Sequence, residues 1–222
     1  MKISEITSMY AENTPLRIIL TNILPVFGPS IDLALLSYAD EIYKKRIEIA
    51  LENLNSELNL LRITTLDKNF IKSESFFDIF RLYLEKSIRT RQKEKIQYYA
   101  RLLTETIRIP ETIEQTEQDI EKIASLSISD LLLMKHMYEK HSLDPELFGN
   151  PDEIVSGSKM IKVVPNNLPE IEHMNKLQIE LSMNNLISKG LVREYSGSAG
   201  DYGGGWYFVT SLLMEIMRKL TR

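Results

Sequence analysis

Met183–Thr210 reads MNNLISKGLVREYSGSAGDYGGGWYFVT, and the order of its parts decides the reading of the chain. Met183 and Leu186 stand three apart and share one face of a helix that packs on a core. Gly190 follows as a helix stop, because glycine adopts the left-handed backbone found just past a helix end. Leu191–Tyr195 reads as a short strand. Ser196–Gly205 holds five of the chain's nine glycines and reads as a loop. Trp206–Val209 is the returning strand, rich in the aromatic and β-branched residues that suit a pleated surface. Thr210 is placed to cap a last helix over Ser211–Leu220.

Working upstream, Glu170–Lys189 is expected to be helical. His141–Pro169 carries Gly149, Pro151, Gly157, Pro165 and Pro169, too much punctuation for long regular structure beyond a short helix around Pro151–Ser156. Leu131–Glu139 makes a short apolar helix. Ser127-Ile-Ser-Asp130 is a capping cluster, and the domain boundary is set there, dividing the chain into residues 1–125 and 126–222.

The N-terminal part reads as helices throughout. Leu16–Leu24 is a short apolar segment that Pro25–Ser30 must end, since two prolines and a glycine do not continue a helix. Tyr43, Ile47, Leu51, Leu54, Leu58 and Leu61 then recur at spacings of four and three, which predicts one helix from Ser30 to Arg62. At ~1.5 Å per residue it would run ~48 Å, long enough for a bundle or a dimer seam. Thr64–Ser73 is a polar break. Ser75 is expected to cap the next helix, with Asp78 in the capping-box position. Phe77, Phe80, Leu84 and Ile88 form its stripe. The stripe lapses at Thr90-Arg91-Gln92 and resumes with Ile96, Tyr99, Leu103 and Ile107, as two helices meeting in a tight turn or one with a register shift. Pro110 ends this stretch, and Glu111–Ala124 is a further helix with Ile113, Ile120 and Ile123 inward.

Composition narrows the function. The chain is 222 residues long, 43% hydrophobic, with a formal net charge of -4. A general polycation is therefore excluded, and any nucleic-acid contact must come from a local patch. There is no cysteine, which removes disulfides and thiolate chemistry and fits a reducing compartment such as the cytoplasm. Met1–Tyr10 lacks the apolar core of a signal peptide. Leu16–Leu36, the most apolar stretch, is interrupted by Arg17, Asn22, Pro25, Gly28, Pro29 and Asp32. It reads as a buried hairpin rather than a membrane span, though peripheral attachment beside basic helices stays a third reading.

Two resemblances follow from these residues. Leu126–Tyr138 (LSISDLLLMKHMY) resembles the opening helix of winged-helix regulators, and Tyr207–Leu213 (YFVTSLL) their strand-threonine-helix exit. The last hundred residues thus resemble the winged-helix superfamily. Two departures are Leu213, where the regulators often carry glycine, and the proline-broken stretch where a compact second helix belongs. Phe76–Leu103 (FFDIFRLYLEKSIRTRQKEKIQYYARLL) resembles a pattern in uncharacterised bacterial helical proteins near the abortive-infection alpha group. That resemblance spans Pro25–Ile107 and implies a bacterial or phage-linked module. The fold class expected is mainly α, an N-terminal helical bundle followed by a winged helix with a two-stranded β-hairpin.

Candidate sites are of two kinds. Lys176, Gln178, Ser182, Asn185, Ser188 and Lys189 would face DNA from the helix before Gly190, since Gln and Asn pair with adenine and Lys reaches guanine or phosphate. Glu172 and Glu180 share that helix, and the loop after Tyr195 carries Asp201 without a cation, so phosphate neutralisation is thin. Regulator-like binding of double-stranded DNA is the leading reading, and the alternative is a scaffold that binds protein through the same domain, in a phage-defence setting. A homodimer through the long N-terminal helix is expected with the former. Arg81, Lys86, Arg89, Arg91, Lys93, Lys95 and Arg101 form the second set, an anion patch or a solvated surface paired with acids. No catalytic set emerges. His136, His141 and His173 lack metal-ligand spacing. The glycine run lacks the Gly-Lys-Ser/Thr of a phosphate loop and precedes a strand. No cofactor is expected, and the protein reads as a non-enzyme.

Overall fold

The computed structural model describes residues 16–22, 41–60, 67–143, 161–162, 171, 174–194 and 206–221. These residues are predominantly helical and fall into two compact units, Met1–Ala124 and Ser125–Arg222.

The first unit contains α1 (residues 16–22), α2 (Glu41–Leu60), α3 (Lys68–Ile71), α4 (Glu74–Arg89), α5 (Lys93–Arg108), a 3₁₀ turn at Pro110–Thr112 and most of α6 (Ile113–Ser125). Helix α2 packs on α4 and α5, and α4 on α5. Ile47, Leu51, Leu54 and Leu58 of α2 are all buried inside this unit. The described part of the stripe that suggests a dimer seam is therefore buried in the chain's own bundle. Leu16, Ile19 and Leu20 of α1 are fully buried as well, which takes the described part of the apolar N-terminal stretch into a protein core. No helix among the described residues is long and apolar enough to cross a membrane. The expected turn at Pro25–Ser30 and the start of the long helix lie outside the described residues.

Several polar groups inside this bundle bind helix to helix, while Asn55 Oδ1, Ser87 Oγ and Gln92 Oε1 are buried without a hydrogen-bond partner. Tyr83 of α4 donates its hydroxyl proton to the Ala50 carbonyl of α2. Arg101 of α5 pairs with the nearly buried Glu57 of α2 at 2.9 Å, and Gln97 adds a bond to the same carboxylate. Arg46 donates to the Ile88 carbonyl at 2.7 Å, serving one of the open acceptors at the end of α4. Thr106 and Thr116 join α5 to α6 through a 2.7 Å hydroxyl bond.

Three details of this unit differ from the sequence expectation. The cap of α4 is Ser73, whose Oγ accepts from the Phe76 amide at 3.1 Å, while Ser75 lies exposed within the helix. The polar break holds α3, whose first amides bond the Asp67 carboxylate. Ending α3 at Ile71 brings the chain round with Ser73 extended, so the first of the two serines takes the cap. That shift buries Phe76 and leaves Phe77 half-exposed; Phe76 sits edge-on to Phe70 at 5.3 Å and stacks toward Phe80 at 6.1 Å.

The second unit contains α7 (Ile128–Leu143), β1 (Ile161–Lys162), α8 (Lys176–Ser188), β2 (Val192–Glu194), β3 (Trp206–Val209) and α9 (Ser211–Leu220). The strands form one antiparallel sheet in the order β1-β3-β2, with Val192 opposite Val209 and Ile161 opposite Tyr207. Helix α7 packs on α8 and α9, longer than the segment read from the sequence, and buries Leu131, Leu133, Met134 and Met137. The short helix expected at Pro151–Ser156 and the glycine loop lie outside the described residues.

The junction of α8, β2, β3 and α9 is closed by two residues. Gly190 has φ +68. Its amide bonds the Ile187 carbonyl at 2.9 Å while the Leu191 amide reaches the Leu186 carbonyl at 3.0 Å. These are the paired bonds of a Schellman stop, and its apolar pair, Leu186 and Leu191, is fully buried. Thr210 caps α9 by accepting from the Leu213 amide at 3.3 Å, and its hydroxyl lies 2.9 Å from the carbonyls of both Gly190 and Leu191. One side chain thus ties the start of the last helix to the end of α8.

Thr210→Val keeps the shape but strands buried backbone groups, so it is expected to lower unfolding stability by about 2 kcal/mol in urea titration. Gly190→Ala meets no atom within 4 Å; only the positive φ opposes it, and a smaller loss of about 1 kcal/mol is expected.

Candidate functional site

Helix α8 begins at an Asn175 cap. The Asn175 side chain accepts from the Gln178 amide at 2.9 Å, and the Gln178 side chain accepts from the Asn175 amide at 2.8 Å. This is a full capping box. Gln178, expected to read a base, is engaged in starting the helix, which also explains why α8 begins at Lys176 rather than Glu170.

The other expected DNA-facing residues divide between the two sides of α8. Ile179, Ser182, Met183 and Leu186 are its buried face. Ser182 therefore turns inward. Asn185 is half-buried and donates to the Asp130 carboxylate of α7 at 2.7 Å. Asp130 is itself buried, accepting from the Ser127 amide at 2.6 Å while its own amide bonds Ser127 Oγ at 3.1 Å. One carboxylate thus starts α7 and anchors α8. Ser188 is exposed but donates back to the Asn185 carbonyl at 2.7 Å. Lys189 is the half-buried C-cap, and Lys176 is exposed at the first turn. The structure does not bring these six side chains to one surface.

The outer face of α8 is different from the one expected. Leu177 and Leu181 are 63% and 60% exposed, one turn apart. Glu180, Asn184 and Ser188 are exposed with them. The sequence did carry this signal, as two leucines outside the Ile179–Met183–Leu186 stripe.

The basic set divides as well. Arg101 is committed to Glu57, and Arg81 lies 4.0 Å from Asp78 on an exposed surface. Lys93 is exposed at the first residue of α5. Lys86, Arg89, Arg91 and Lys95 come together where α4 hands over to α5. With Thr90, Gln92, Tyr99 and Ala124 they line a cavity of about 510 Å³ within the first unit. Lys86 pairs with Glu121 at 2.7 Å and Arg89 with Glu85 at 3.0 Å. Lys95 is 6% exposed and donates to the Ala124 carbonyl at 3.1 Å. Burial, and secondarily the Glu121 carboxylate, push the Tyr99 phenol well above its ordinary range, so it keeps its proton at neutral pH.

Among the described residues no group of three His, Asp or Glu side chains is placed to hold a metal ion. No family model, curated protein or solved structure matches the chain.

Asn185→Ala removes the tie from α8 to a buried carboxylate, and is expected to cost about 1–3 kcal/mol of stability in denaturant titration. Lys176→Ala, on the outer face, should change stability by less than about 0.5 kcal/mol. Equal effects would contradict the division of the helix into inner and outer faces.

Proposed function

We propose that the second unit is a winged helix and that the chain is a non-enzymatic binding protein working through protein contact. The chain order of helix, strand, helix, two strands and helix, with sheet order β1-β3-β2, supports the fold assignment. The observation that carries the function is the outer face of α8, in the position a recognition helix takes. It exposes Leu177 and Leu181 among Lys176, Glu180 and Asn184, an apolar pair that contact with phosphates does not use.

The partner this face suits is a second copy of the chain. Two antiparallel α8 helices about a two-fold axis bring Leu177 of one against Leu181 of the other. A self-complementary patch of this kind is what an isologous contact needs. Stable interfaces bury about 1,200–2,000 Å². Two leucines and their flanks fall short of that alone, so the contact is a weak, concentration-dependent dimer.

Sedimentation equilibrium is expected to show association rising with protein concentration, lost in Leu181→Glu while the circular dichroism stays native. Fluorescence anisotropy with mixed-sequence duplex DNA at low salt is expected to show no binding. A monomer at all concentrations, or duplex binding that disappears in Lys176→Glu, contradicts this reading.

A further inference from the structure

We draw no further inference here: the strongest candidate, the cavity of about 510 Å³ where α4 hands over to α5, rests on the N-terminus of α5 beside cations that the protein itself engages, Lys86 and Arg89 with carboxylates and Lys95 with the Ala124 carbonyl, and no second observation there points to a ligand.

Discussion

The Thr210 hydroxyl and the carbonyls behind Gly190 form the constraint on which the second unit depends. A helix must end, a strand must begin, and a later helix must start within a few ångströms of the same point. Each event leaves backbone groups unserved. Gly190 resolves the first by turning left-handed, and Thr210 resolves the rest with one oxygen that caps α9 and reaches back to the end of α8. Asp130 plays a comparable part at the other end of the unit, starting α7 and holding Asn185 of α8. Two short polar side chains thus set where helices begin and which neighbours they hold, while Leu186, Leu191, Leu213 and Leu220 supply the buried apolar surface.

These junctions were legible in the sequence because they rest on residues with narrow physical uses. Glycine after an apolar helical run, and threonine between a strand and a helix, have few other roles. Gln178 and Asn185 are less legible for the opposite reason. An amide side chain that reads a base and one that caps a helix or binds a carboxylate have the same chemistry, and only the direction of the helix face separates them. Ser73 and Ser75 pose the same difficulty at shorter range: both can cap, and the short helix at Lys68–Ile71 decides between them. The basic run from Arg81 to Arg101 was visible as composition, but its division was not. Glu57 lies 44 residues from Arg101 in the chain, and such a partner is seen only when α2 packs on α5.

The same two rules, helix ends and buried charge, account for the contrast between the units. In the second unit the polar groups at helix ends are answered by the protein itself, through Asn175, Gln178, Ser127, Asp130 and Thr210. In the first unit α4 begins with a satisfied serine cap and ends against Arg46, whereas α5 begins at Gln92 without a side-chain cap.

The central claim, that the Gly190–Thr210 junction holds the second unit together, is tested most directly by native-state hydrogen exchange. The Leu191 and Thr210 amides, bonded to the Leu186 and Leu191 carbonyls, are expected to exchange with the slowest class of the unit, at the free energy of its cooperative opening. In Thr210→Val that class should speed up as one group, including the buried core of α8. Fast exchange at Leu191 and Thr210 in the native chain, with the amides of α8 remaining slow, would contradict the account.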